Sequence, residues 1–295
     1  MGFGMSECLF IFGMGYSGLL LANEMIARGW TVSGTCREEN KRKLLEDMGI
    51  KAYLFHKNHP LSLAQQVLAD TTHLISTIPP DTNGDPVLGL HAKNLSDLPN
   101  VKWAGYISTT GVYGDRGGDW VDENTVAEPT GERGKLRVLA EEKWFSLLRS
   151  GLPLHVFRTA GIYGPARNPF TKLRSGTATR VDKPGHVFSR IHVNDLINII
   201  CASIEKPMPG RIYNACDDEP ASSAEVIEYA AKLLGIKPPP LIPLEEAKLS
   251  QMARSFYSES KRVKNMRIKD ELGVSLLYPN YRIGLANILK DEINS

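Results

Sequence analysis

Along the first hundred residues, apolar positions fall into short unbroken runs that alternate with stretches of helical spacing. Cys8-Leu9-Phe10-Ile11-Phe12 is continuous and bounded by glycine, the pattern of a parallel strand covered on both faces. Leu19, Leu20, Leu21, Ala22, Met25 and Ile26 then repeat at helical spacing, and a second short strand follows at Thr31-Val32-Ser33-Gly34-Thr35. Residues 73–80 and 101–109 read as two more buried strands, the first closing on small polar residues and prolines. Strands alternating with helices in this way predict an α/β fold, a Rossmann-type doubly wound parallel sheet. Further on, residues 221–234 show helical periodicity after a Pro-Ala-Ser-Ser start. Ile236-Lys237-Pro238-Pro239-Pro240 is a stiff connector, because proline fixes φ. Residues 258–273 carry Lys261, Arg262, Lys264, Arg267 and Lys269 and read as a solvated helix face, of which Lys261 and Arg262 could meet an anionic substrate.

Between the first strand and the first helix stands Gly13-Met14-Gly15-Tyr16-Ser17-Gly18. A Gly-x-Gly-x-x-Gly motif is weak alone and strong in this strand, turn, helix, strand context. Gly13 makes the tight turn, Gly15 lets the main chain approach a pyrophosphate, and Gly18 lets helix and strand pack closely. The helix start at Tyr16 and Ser17 then offers N–H groups and the positive end of the helix dipole to phosphate. A dinucleotide site is therefore expected here. Its ribose selectivity is set at the end of the second strand, where an acid accepts from a 2′-hydroxyl and an arginine accommodates a 2′-phosphate. Gly34-Thr35-Cys36-Arg37 places Arg37 at that point, so NADP(H) is favoured, with NAD(H) as the alternative. Lys41 and Arg42 add charge or belong to the solvated face of the next helix. Ser76, Thr77, Ser108 and Thr109 end the third and fourth strand runs, where ligands lie in open parallel sheets.

Composition narrows the classes. A chain of 295 residues with 42% hydrophobic and 23% charged residues can bury a large core. A net charge of +2 offers no broad basic face for nucleic acid. No apolar run approaches the roughly 20 residues that span a bilayer, and the opening residues lack a secretion signal. A small-molecule substrate is the partner expected, with no nucleic acid and no membrane, and a homodimer is admitted. The compartment is cytoplasmic, or an organelle if a targeting peptide has been removed. Cys8, Cys36, Cys201 and Cys216 form no Cys-x-x-Cys pair and are read as reduced and mostly buried, with no metal site.

Downstream motifs are more specific. Ser108-Thr109-Thr110-Gly111-Val112-Tyr113-Gly114, then Asp122-Glu123 and Pro129, then Arg158-Thr159-Ala160-Gly161-Ile162-Tyr163-Gly164-Pro165, then Arg190-Ile191-His192-Val193-Asn194-Asp195-Leu196, and finally Arg211-Ile212-Tyr213-Asn214-Ala215 follow in order. With the glycine turn, this succession resembles the extended short-chain dehydrogenase/reductase family, also called the NAD-dependent epimerase/dehydratase family, over almost the whole chain. The resemblance implies that Thr109 contacts a reacting carbonyl or hydroxyl and that Gly161 and Tyr163 lie near the nicotinamide. It also implies a Rossmann domain over residues 1–165, completed by about 189–216, and a smaller C-terminal substrate lobe over 166–188 and 217–295.

The chain departs from the family at the proton-transfer pair. The resemblance implies a Tyr-x-x-x-Lys pair one helical turn apart, in which the ammonium and the cofactor ribose lower the tyrosine pKa. Counting from Pro129, the tyrosine position falls on Arg133 and the lysine position on Arg137. A slip of two residues gives Gly131 and Lys135, again without a phenol. Arginine stays protonated, so Arg133 cannot exchange a proton as tyrosine does. It could bind a carboxylate or phosphate; equally, Arg133, Arg137 and Glu141 at i, i+4 and i+8 read as a surface ion-pair row. Tyr113, Tyr163 and His192 are the candidate replacements, each set against a packing role in its motif. The pattern resembles an atypical subgroup that keeps the dinucleotide sequence and lacks the catalytic pair. Three functions follow as expectations: an oxidoreductase or epimerase-like enzyme on a small carbonyl, hydroxyl or nucleotide-sugar substrate; a catalytically inactive NADP-binding sensor or regulator; or a dehydratase or lyase with a tightly held cofactor. The last needs a carboxylate base near Thr109, for which Glu123, expected to be exposed, is the candidate.

Overall fold

The computed structural model describes residues 7–294. Its strands are β1 (Cys8–Phe12), β2 (Thr31–Cys36), β3 (Lys51–Leu54), β4 (His73–Ser76), β5 (Trp103–Thr109), β6 (Trp120–Val121), β7 (Leu154–Thr159), β8 (Gly161–Tyr163), β9 (Arg180–Asp182), β10 (Arg190–His192), β11 (Ile212–Ala215), β12 (Leu241–Pro243) and β13 (Arg262–Val263). Its helices are α1 (Tyr16–Ala27), α2 (Glu39–Asp47), α3 (Ala64–Val67), α4 (Pro86–Ser96), α5 (Glu132–Ser146), α6 (Phe170–Arg174), α7 (Val193–Glu205), α8 (Ser223–Leu233), α9 (Gln251–Phe256), α10 (Met266–Asp270) and α11 (Tyr281–Asn294). Among the described residues no helix is long and apolar enough to cross a membrane.

Seven strands form the central sheet in the order β11-β7-β5-β4-β1-β2-β3. The pairs β1–β2, β1–β4, β2–β3 and β4–β5 run parallel. The chain moves from β1 outward to β3 and then returns to the other side of β1 with β4. That reversal is the switch point at which open α/β sheets leave a crevice beyond their strand ends. The doubly wound Rossmann sheet expected from the alternating pattern is thus present.

The chain forms two compact units. One contains residues up to Thr109 with Lys135–Arg158 and Ile200–Tyr213; the other contains Thr110–Gly134, Thr159–Ile199 and the residues from Asn214 onward. The first unit is built on a core of Phe10, Phe12, Leu74, Tyr106, Trp144 and Val156. Helix α4 starts where it does because Asp85 accepts from the Val87 and Leu88 amides at 2.9 and 3.0 Å and Pro86 occupies the first turn. The second oxygen of Asp85 takes the Trp144 indole N–H at 3.0 Å, so the cap also fixes α5 through its largest side chain. In the second unit, Phe170, Ala230, Ala231, Tyr281 and Leu285 make a core of their own. Helix α8 there opens with a capping box between Ser222 and Glu225, as its serine-rich start suggests. Residues 258–273 do not form one solvated helix face: they hold β13 and the short α10, with Lys261 buried.

Candidate functional site

The turn after β1 uses its three glycines in two different ways. Gly13 has φ +96°, and a Cβ there would stand 2.6 Å from Thr77 Oγ1. A Cβ on Gly18 would stand 2.3 Å from the Gly13 carbonyl oxygen. Internal packing alone forbids side chains at both. Gly15 is the opposite case. It is the N-cap of α1, exposed, with nothing within 4 Å of its missing Cβ and with no side chain capping the turn that follows. The start of α1 therefore presents main-chain donors and a positive dipole end to open space, as an anion site requires. The residues present fit a diphosphate.

The adjoining strand ends divide into those that shape this turn and those left for a ligand. Thr77 spends its hydroxyl on the Gly13 and Phe12 carbonyls at 2.7 and 3.3 Å, and Thr35 Oγ1 accepts the Gly13 amide at 2.9 Å. Both are structural. Ser76, the last residue of β4, is buried with no hydrogen-bond partner on its hydroxyl. Arg37 lies exposed directly after β2, followed by exposed Glu38. Arg42 is engaged by Glu39 and Glu46 at 2.5 and 2.8 Å, which leaves Arg37 as the cation closest to the strand end.

On β5 and α5 the structure separates residues that the sequence spacing had grouped. Arg133 is exposed in the first turn of α5. Arg137 turns inward, its Nη1 donating to the Ile107 carbonyl at 2.5 Å and to Tyr106 Oη at 3.0 Å. Glu141 is only 4% exposed. It accepts from Ser108 Oγ at 2.5 Å and pairs with Arg158, whose Nη2 stands 2.8 Å away and whose Nε bridges both carboxylate oxygens at 3.2 and 3.3 Å. A surface row of Arg133, Arg137 and Glu141 is therefore not formed. Ser108 is buried with its hydroxyl committed, and Thr109 is half-buried at the last position of β5.

In the second unit, β8 and β10 pair in register, Gly161 with Arg190 and Tyr163 with His192. His192 is buried between the rings of Tyr163 and Tyr278, at centroid separations of 5.2 and 3.9 Å. Its Nδ1 accepts the Asn194 amide at 3.2 Å, which places the proton on Nε2, an atom without a partner. Burial pushes its pKa down to about 4, so the ring is neutral at neutral pH. Burial pushes the Tyr163 phenol up, and its Oη lies 3.4 Å from the Asn280 carbonyl. Tyr113 is fully buried and donates to Asn214 Oδ1 at 2.7 Å. The Asn214 amide N–H in turn donates to Glu123 Oε1 at 2.8 Å. Glu123, expected to be exposed, is enclosed: its side chain is 4% exposed and burial raises its pKa.

One residue of this region was not foreseen. Asp217, after β11, is 1% exposed, and its Oδ2 has no hydrogen-bond partner. Burial raises its pKa to about 8, against the pull of the nearby Arg190 charge. The only signal for it in the sequence is the acidic pair Asp217-Asp218, separated by one residue from the end of a strand. Lys261, one of the two cations considered for an anionic substrate, is spent on the Gly114 carbonyl and Glu259 at 2.6 and 2.7 Å. Among the described residues no group of three or more metal-ligating side chains converges.

No protein-family model matches the chain. It is 31% identical over 283 residues to protein YeeZ of Escherichia coli K12, covering 92% of this chain and 96% of YeeZ. A solved structure of a functionally unknown conserved protein from Silicibacter pomeroyi superposes with a TM-score of 0.90 at 46% identity, covering 97% of this chain and 99% of that one. The fold is also that of dTDP-glucose 4,6-dehydratase from Bacillus anthracis, solved in complex with NAD, at a TM-score of 0.78 and 18% identity over 98% of this chain and 97% of that one. The chain belongs to the family of protein YeeZ, and its seven-stranded sheet has the fold shared by structural neighbours that are NAD-dependent epimerase/dehydratase-type enzymes.

Proposed function

We propose that this protein binds a nicotinamide dinucleotide, NADP(H) in preference to NAD(H), and acts as an oxidoreductase or epimerase-like enzyme on a small carbonyl, hydroxyl or nucleotide-sugar substrate. The observation that carries this reading is Gly15. Packing does not demand a glycine there, whereas close approach of a diphosphate to the start of α1 does. The α1 amides would hold the diphosphate and Arg37 the 2′-phosphate, its planar fork matching phosphate oxygens. The NAD bound to the Bacillus anthracis dehydratase, which shares this fold, is in keeping with the diphosphate part of this reading. A bound nicotinamide supplies hydride transfer. Thr109 would orient the reacting oxygen through its hydroxyl, at the end of a strand that α5 holds from behind.

A second reading, a dinucleotide-binding protein without catalysis, is favoured by one specific observation. The tyrosine in the family motif after β5 has its hydroxyl locked to Asn214, and the position expected to hold the proton-donating phenol carries the exposed Arg133. Titration of NADPH, NADH and their oxidised forms, followed by nicotinamide fluorescence or calorimetry, tests the shared part. Wild type is expected to favour NADPH, and Arg37→Asp to lose about tenfold or more of that preference, the worth of one charge-assisted bond. Preference for NADH by wild type would overturn the 2′-phosphate assignment, and turnover on a carbonyl panel separates enzyme from sensor.

A further inference from the structure

We propose that Glu141 is a positioning residue: through Ser108 it fixes the Thr109 end of β5 toward the dinucleotide, with Arg158 as its counter-ion. The inference rests on the dinucleotide reading above for its ligand, and on the geometry of the first unit for everything else.

Side chains alternate along a strand, so Tyr106 and Ser108 share one face of β5, and Ile107 and Thr109 share the other. Both hydroxyls of the first face meet α5, Tyr106 through Arg137 and Ser108 through Glu141, residues one helical turn apart. The Ile107 carbonyl between them is held by the same Arg137. Three successive residues are thus gripped immediately before Thr109. Glu141 is itself fixed in plane by the two-pronged guanidinium of Arg158 from β7, the neighbouring strand in the sheet.

Such a network is a poor way to gain stability, because burying an ion pair costs desolvation that an apolar pair of similar volume avoids. What it provides is a fixed orientation, since a fully satisfied buried polar network admits few alternative arrangements. Its place in the fold gives that orientation a use. It lies at the carboxyl ends of β5 and β7, next to β4, whose last residue Ser76 pairs in register with Tyr106 and has an unpartnered hydroxyl. Ligands of open α/β sheets lie beyond such strand ends. Ser108 and Glu141 are too buried to touch a ligand themselves, so they act through the main chain of β5 and through Thr109.

Ser108→Ala is the main test, because it cuts the link to β5 and leaves the Glu141–Arg158 pair intact. The variant is expected to melt within about 2 °C of wild type. It should bind NADPH roughly fivefold more weakly, only part of the worth of the lost bond to a charged group because neither partner touches the ligand, and shift the emission of the bound nicotinamide. Ser108→Thr, which keeps the hydroxyl, should restore both. Glu141→Gln should shift the emission as Ser108→Ala does, and the double variant no further. A merely structural role would change melting without moving the emission. Amide exchange at residues 109 and 110 in the ligand-free protein should quicken in Ser108→Ala while β1 stays protected. Wild-type NADPH affinity, emission and exchange in Ser108→Ala, or additive effects in the double variant, would overturn the proposal. If wild type binds no dinucleotide, the ligand reading falls, and exchange at 109 and 110 alone decides the clamp: quickened supports it, unchanged overturns it.

Discussion

The Tyr113 hydroxyl donates to Asn214 Oδ1 at 2.7 Å in a fully buried setting, and Asn214 passes its own amide hydrogens on to the Lys264 carbonyl and to Glu123. Tyr113 is thereby a structural member of a polar chain. Tyr113→Phe should lower stability by about 1–3 kcal/mol, because it strands a buried acceptor. Dinucleotide affinity should be unchanged, as should turnover on any substrate found. Thermal unfolding and NADPH titration of the variant check this. Loss of turnover with intact binding would instead make Tyr113 the missing proton donor.

The two kinds of glycine in the turn after β1 separate folding from binding. Gly15→Ala adds a methyl group to open space and should melt like wild type while losing about tenfold or more in NADPH affinity. Gly13→Ala must adopt positive φ and meet Thr77, and Gly18→Ala must displace the Gly13 carbonyl, so both should unfold at lower temperature. Comparing melting curves with binding isotherms across the three variants tests the division. Equal melting losses in all three would mean that Gly15 is required for packing.

The first strands and α1 could be read from the sequence because their burial is local and periodic. Cys8–Phe12 is apolar on both faces, as a central strand must be. Strand β3 could not, since Lys51–Leu54 is four residues long and half-exposed, with too little alternation to register. At the site, the glycine turn was legible because its chemistry is contiguous. Glu141 was not, because the charge spacing on α5 looks like a solvated face until Ser108 and Arg158 arrive from elsewhere in the chain. Glu123 was misjudged for the same reason: its partners, the main-chain amide of Asn214 and the Arg267 side chain at 3.9 Å, both come from far along the chain.

Arg133 and Arg137, equivalent in spacing, should behave differently. Arg133 is exposed, so Arg133→Ala should leave stability within about 0.5 kcal/mol of wild type. Arg137→Ala removes the donor to the Ile107 carbonyl and to Tyr106 Oη and should cost about 1–3 kcal/mol. Denaturant unfolding of the two variants makes the comparison. A large stability loss for Arg133→Ala would show that its charge has a partner in solution.

Asp217 gives the protein a pH dependence of unusual sign. An aspartate whose folded pKa is raised from 3.8 to about 8 keeps its proton in the folded state over a range where the unfolded chain has released it. Its contribution is complete below about 4, is lost as pH rises, and levels off above about 8. His192, His73 and His155 act in the opposite direction. Their pKa values are lowered by burial to about 4, so their contribution is present above 6.5 and lost as pH falls toward 4. Between pH 6.5 and 8 only the Asp217 slope remains among these groups, and stability should fall as pH rises. Asp217→Asn keeps the shape of the neutral acid and cannot ionise. Melting temperature against pH should therefore flatten in that window for Asp217→Asn, with the variant melting above wild type at pH 8 and the two converging toward pH 4. Parallel curves for the two proteins would mean that Arg190 holds Asp217 charged in the folded state, as an ordinary buried ion pair.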